Sequence, residues 1–196
     1  MMKKKLVIMG LATMTALPVL ANEGDWLVRA RIINVAPSES STLNLGVSSD
    51  TVPELDFSYF VAKNIALELI LATSRHEVTL PGTGSLGNVS ALPPTVTVQY
   101  HFSPEGTVRP YVGAGINYTR FYRDDLKLGA QSLTIDKNSW GGALQAGLDF
   151  ALSKNSFVNL DVKKIYMKTD VSLNGAKIDT LKINPVVWGI GYGMKF

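Results

Sequence analysis

Taking every second residue of the C-terminal stretch VVWGIGYGMKF (186–196) separates two unlike surfaces. Val186, Trp188, Ile190, Tyr192, Met194 and Phe196 are large and apolar, whereas Gly189, Gly191 and Gly193 leave the other side nearly bare before Lys195. A period of two marks a β-strand, because successive side chains point to opposite faces of the pleat. Such a strand needs an apolar medium against one face and a crowded space against the other. That double requirement excludes most folds before composition is considered.

The same alternation recurs along the chain. Trp26, Val28, Ala30 and Ile32 oppose Arg29 and Arg31; Leu55, Phe57 and Tyr59 oppose Glu54, Asp56 and Ser58. Ile65, Leu67, Leu69 and Leu71 oppose Ala66, Glu68, Ile70 and Ala72, and Val96, Val98, Tyr100 and Phe102 oppose Thr95, Thr97, Gln99 and His101. Val112, Ala114, Ile116 and Tyr118 then oppose Gly113, Gly115, Asn117 and Thr119. Trp140, Leu144, Ala146, Leu148 and Phe150 face away from Gly141, Ala143, Gln145, Gly147 and Asp149, as Val158, Leu160 and Val162 do from Asn159, Asp161 and Lys163. With the terminal segment this makes eight strands, an even number that lets an antiparallel sheet close on itself. Parity would put Lys164 on the apolar face, which predicts either a bulge there or the edge of the apolar band. The connections around Lys63, at 103–106 and at 153–155 are tight turns, while those over 36–51, 75–92, 123–138 and 168–179 are long and are expected to be loops.

Eight alternating strands also suit a soluble barrel with its apolar face inside. The bare face decides between the two. A water-facing wall would be dense in Lys and Glu, whereas glycine and alanine suit the cramped interior of an eight-stranded barrel. The bulky face therefore points outward, and only lipid accommodates it there. The aromatics sort to strand ends as an interfacial girdle would. Trp26, Tyr59, Tyr100, Phe102, Phe150, Tyr192 and Phe196 lie toward the short turns, and Tyr118, Trp140 and Trp188 toward the long connections. The expected architecture is an all-β, eight-stranded antiparallel transmembrane β-barrel with short periplasmic turns and long extracellular loops.

The N-terminus agrees with this destination. Lys3, Lys4 and Lys5 precede an apolar run ending at Leu17, then Pro18, then small residues Val19 and Ala21 around Leu20. This reads as a signal peptide over 1–21, cut between Ala21 and Asn22, with the barrel domain over 22–196. The chain has no cysteine, which excludes disulfides and thiolate metal sites, and its formal charge of +3 forms no basic stripe suited to nucleic acid.

Together, GDWLVRARIINVAP (24–37), LPPTVTVQYHF (92–102), RPYVGAGINYTRF (109–121), NLDVK (159–163) and the glycine-rich terminal strand resemble the OmpW family of outer-membrane proteins. The resemblance implies a Gram-negative outer-membrane barrel with a narrow, largely hydrophobic lumen that passes small apolar molecules. Phe196 also resembles the terminal aromatic that such barrels present to their insertion machinery.

No catalytic, cofactor or metal constellation stands out. His76 is expected in a surface loop and His101 in the lumen near a periplasmic turn, too far apart to share a metal. Ser74, His76 and Glu77 are the only fragment of an acid–base cluster, and no enzyme is expected. Arg29, Arg31, Glu54, Asp56, Glu68, Asp149, Asp161 and Lys163 bring both charge signs to the inner face. Buried charges need partners, so this mixture predicts a cross-linked plug and not a one-sign selectivity ring. Pro93 and Pro94 lack two backbone donors, so pairing with the preceding strand must stop there. They either begin a strand or mark a lateral gate, through which a small hydrophobic solute stopped by the plug leaves into the lipid. The alternative to a conduit is a sealed structural or adhesive barrel whose loops act outside, for instance as a phage or toxin receptor.

Overall fold

The computed structural model describes residues 23–196; the cleavage expected at Ala21 and Asn22 lies outside them. In chain order the strands are β1 (Trp26–Ala36), β2 (Gly46–Val47), β3 (Asp50–Ala62), β4 (Ile65–Ala72), β5 (Ser74–Leu80), β6 (Gly84–Leu92) and β7 (Thr95–His101). They continue as β8 (Val108–Leu128), β9 (Gln131–Ile135), β10 (Asn138–Ala151), β11 (Ser156–Ile165), β12 (Lys168–Leu173), β13 (Ala176–Lys182) and β14 (Val186–Lys195). Among the described residues there is no helix long and apolar enough to cross a membrane.

Eight of these strands close a barrel. The antiparallel ladders run β1–β3–β4–β7–β8–β10–β11–β14, and β14 returns to β1 with Leu27 opposite Lys195 and Ala36 opposite Val186. The backbone N–H of Phe196 donates to the Trp26 carbonyl at 2.9 Å, so the seam is bonded to its last residue and leaves no open edge. All eight predicted segments and all three tight turns fall where the alternation puts them.

The sidedness is inverted relative to a water-soluble protein. Trp140, Ile116, Trp188 and Ile190 are between 54 and 69% exposed, while Arg29, Asp56, Gln99, Asn117 and Asn159 are wholly buried. An outer surface of bulky apolar residues and an inner surface of charges and amides is the pattern of a barrel whose solvent is lipid. The aromatic girdle lies on this outer surface: Trp26 packs on Tyr59, Tyr100 on Phe102 and Tyr118 on Trp140, with ring centroids about 5 Å apart.

The bare face has a steric cause. A Cβ at Gly147 would lie 2.3 Å from the Tyr111 ring, and one at Gly193 would lie 2.3 Å from the Phe157 ring. The glycines let two large inward side chains lie flat across the neighbouring strand, where Gly147 is paired with Tyr111 and Gly193 with Phe157. Any larger residue there would overpack the lumen, at a cost of about 1–3 kcal/mol.

One expectation about the strands needs correction. The connections over 75–92, 123–138 and 168–179 are largely strands and not loops: β5 and β6 form a hairpin, β8 continues to Leu128, and β12 and β13 form a second hairpin. The reason is that alternation persists there in a weaker form. Val78, Val89, Leu126, Leu133, Ile135, Val171 and Leu181 still point inward and are buried, but their outer neighbours are polar, as befits a wall that rises out of the membrane into water. At Lys164 there is no bulge. The β10–β11 and β11–β14 registers run straight through it, and its Nζ donates to the Asn184 carbonyl at 2.6 Å, marking the edge of the apolar band.

Candidate functional site: an apolar chamber above an ion-paired plug

The lumen divides into two halves of opposite chemistry. In the lower half every predicted plug residue is buried, and β1, β3, β4, β10 and β11 bring them together. Arg29 donates to Asp56, Ser58 and Asp149, each at 3.0 Å. Arg31 donates through Nε to Asn159 at 2.6 Å and through Nη1 to Glu54 at 2.7 Å, and lies 2.9 Å from Asp56 Oδ2 as an ion pair without hydrogen-bond alignment. Lys163 bridges Glu54 at 2.8 Å and Asp161 at 2.6 Å, while Glu68 accepts from Thr97 at 2.9 Å.

Neutral groups complete the network. Tyr111 and Gln145 both donate to Asp161 Oδ2, at 2.7 and 2.8 Å, and Asn159 donates to Asp149 at 2.7 Å. Among the described residues Arg29 Nε has no hydrogen-bond partner, but its guanidinium lies 5.2 Å from the Tyr111 ring centroid and 5.5 Å from that of Phe157. These are the two rings seated against Gly147 and Gly193. The glycine wall and the cation are thus parts of one arrangement, in which ring faces stand in for a missing acceptor. Below it, His101 lies between Phe60 and Tyr111, with centroids at 4.9 and 5.1 Å. The lower lumen is thus cross-linked between β1, β3, β4, β10 and β11 and backed by packed rings.

Above the plug the interior turns apolar. Ile33, Ile70, Val89, Phe121, Met167 and Val187 belong to the walls of an apolar cavity. Glu54 and Thr95 form part of its floor, where it meets the charged network. Leu27 and Tyr111 are buried lower down, whereas Ile33 and Ile70 reach the chamber. Nearly half of the residues that line the chamber, His76, Val78, Leu126, Leu133 and Val171 among them, lie in stretches that look like loops in the sequence.

The chamber wall is interrupted at the prolines. The β4–β7 ladder ends at the Ile70–Thr95 pair, and contact with the next stretch resumes where Thr73 Oγ1 donates to the Ala91 carbonyl at 3.3 Å. Between them, Pro93 and Pro94 direct their carbonyls to Asn117 and Tyr118 on β8, and Pro93 and Ala72 line the chamber. Outside this interruption, Leu71 and Leu92 present apolar side chains to the lipid, 38 and 41% exposed. The interruption is bounded by apolar groups on both faces.

His76 departs from expectation. It stands on β5 and not in a loop, and it lines the chamber together with Ser74, while Glu77 points outward. Ser74 and His76 are two residues apart, so they share the inward face. The pairing was legible in principle from that spacing, but only if the stretch is read as a strand.

Comparison with known proteins bears on this geometry. The OmpW family model matches residues 22–196. Outer membrane protein W of Vibrio cholerae is 39% identical over 217 residues, covering 98% of this chain and all of that protein. A Pseudomonas aeruginosa relative named dibenzothiophene metabolism operon protein PahQ is 31% identical over 173 residues, 80% of each chain. The crystal structure of the outer membrane protein OprG from Pseudomonas aeruginosa superposes with a TM-score of 0.81 at 29% identity, covering 91% of this chain and 99% of that one.

Proposed function

Because this chain belongs to the OmpW family and is an outer-membrane β-barrel of a Gram-negative envelope, we propose that it is a passive conduit for small hydrophobic molecules with a sideways exit. The solute enters the chamber from outside, where burial of its apolar surface draws it in. The ion-paired plug stops it from continuing along the axis. It leaves between β4 and β7 at Pro93 and Pro94, where no ladder has to be broken, and passes into the bilayer.

The observation that carries this reading is the position of the ladder break, which lies at the level of the apolar chamber and above the plug. A barrel that worked only through its outer surface would have no need of an apolar hollow next to a gap in its wall. The name of the PahQ relative ties that protein to dibenzothiophene metabolism, and dibenzothiophene is a flat apolar molecule of the size class proposed. Phe196, 68% exposed at the closing seam, remains our candidate for the contact with the insertion machinery.

The test is uptake of a small apolar aromatic compound by cells with and without the protein, and with a Pro93→Val/Pro94→Thr variant that restores a backbone donor toward β4 at 93 and one toward β8 at 94. Uptake should depend on the protein, and the variant, present in the outer membrane in equal amount, should lose most of it. Unchanged uptake in the variant ends the sideways route, and equal uptake without the protein ends the conduit.

A further inference from the structure

The chamber is not uniformly apolar. On its wall, His76 Nδ1 lies 2.6 Å from the Ser48 carbonyl, and Nε2 lies 2.8 Å from Ser74 Oγ. Both side chains line the chamber and both residues are buried, at 8 and 7% exposure. We propose that Ser74 and His76 form a polar recognition site that accepts a hydrogen bond from the hydroxyl of a small apolar alcohol or phenol. The proposal rests on the conduit reading and adds a preference to it.

The direction of each hydrogen bond follows from donor and acceptor chemistry. A carbonyl oxygen only accepts, so His76 Nδ1 must carry the proton that faces Ser48. In the neutral ring Nε2 then has a lone pair and no hydrogen, and Ser74 must donate its hydroxyl proton to it. That leaves Ser74 Oγ with lone pairs and nothing further to give. Among the described residues no other side chain donates to it. In an apolar wall an acceptor in this state is matched by a solute O–H; a ketone of the same shape offers no donor, and a hydrocarbon offers nothing.

The arrangement is also held in place. Ser48 sits between β2 and β3 and is fastened to β5 twice, its N–H donating to the Glu77 carbonyl at 2.9 Å and its Oγ accepting from the Glu77 N–H at 2.8 Å. The carbonyl that sets the imidazole tautomer is therefore fixed relative to the strand that carries the ring. A buried polar group in an apolar site costs stability unless it is satisfied. Two such groups oriented by a third suit recognition better than packing, since valine or leucine would fill the wall without that cost.

The experiment compares indane, indanol and indanone, which share one carbon skeleton, for equilibrium binding to the full barrel in nanodiscs at mildly alkaline pH, each corrected with empty nanodiscs of the same lipid. Wild-type protein should bind all three, with indanol favoured about fivefold over both others, the worth of one neutral hydrogen bond. A Ser74→Ala/His76→Leu variant should lose the preference and bind the three compounds alike. Equal binding of the three by wild-type protein overturns the recognition site without need of the variant, and so does a preference that survives in a folded variant. Failure of wild-type protein to bind indane removes the apolar conduit itself, an outcome separate from loss of the preference.

Discussion

Replacing Arg31 by methionine should test whether the lower lumen is a structural plug. Its guanidinium is fully buried and faces Glu54 at 2.7 Å, Asp56 at 2.9 Å and Glu68 at 3.4 Å, while Nε donates to Asn159 at 2.6 Å. Removing one partner of a buried ion pair costs about 3–5 kcal/mol, because the remaining charge is left without compensation. Here each stranded carboxylate keeps another cation: Lys163 at 2.8 Å from Glu54, and Arg29 at 3.0 Å from Asp56 and 3.6 Å from Glu68. The expected loss therefore falls at the low end, about 3 kcal/mol. The ion-paired cluster holds three cations (Arg29, Arg31, Lys163) against five carboxylates (Glu54, Asp56, Glu68, Asp149, Asp161), so Arg31→Met leaves two against five. Adding Glu54→Gln restores the original difference, and the double variant should be more stable than the sum of the single changes by at least about 1 kcal/mol. Urea unfolding in lipid vesicles, followed by tryptophan fluorescence, reads these values, and planar-bilayer conductance should rise in Arg31→Met. A single-variant loss well below 1 kcal/mol, strict additivity, or unchanged conductance would refute the plug.

Two further expectations concern sidedness and the outer rim. Trp26, Trp140 and Trp188 are 49, 69 and 57% exposed on the outer wall, so brominated lipids should quench the protein's fluorescence strongly and acrylamide weakly; the reverse order would turn the barrel inside out. At the rim, burial pushes the Asp179 carboxyl up, but the N–H groups of Leu43, Thr42 and Thr180 outweigh this and hold it below the ordinary aspartate value. A depressed folded value means that the contact is at full strength above the unfolded value of about 3.9 and is lost only as pH falls through the lower folded one. Hydrogen exchange at Thr42 and Leu43, corrected for intrinsic rate, should therefore stay flat from neutrality to about pH 4 and rise about tenfold in Asp179→Ala. An early rise near pH 6 would contradict the assignment of Asp179 as the anchor.

Much of this molecule is written in its period of two. The alternation is a property of the pleat alone, so it needs no tertiary partner to be read, and it places all eight barrel strands. The glycines of β8, β10 and β14 add the sidedness, because only a cramped interior calls for a wall without side chains. The mixed charges on the inner face add the ion-paired network, since buried ions must pair. Above the membrane the same signal weakens. Outer residues there meet water and become polar, so the hairpins β5–β6 and β12–β13 resemble loops, although Asn174 and Gly175, both with positive φ, provide the two-residue turn that a hairpin favours.

What the sequence could not supply is contact across the lumen. Arg29 meets Asp149 over a separation of 120 residues, and His76 meets the Ser48 carbonyl over 28. Neither separation leaves a periodic trace. Strand order, stagger and closure decide which inward side chains share a level, and these belong to the assembled cylinder and not to any one strand. The chain by itself thus determined a lipid-facing wall and a crowded, charge-bearing interior. Only the closed barrel decided that the charges would gather below, the apolar groups above, and the ladder break beside them.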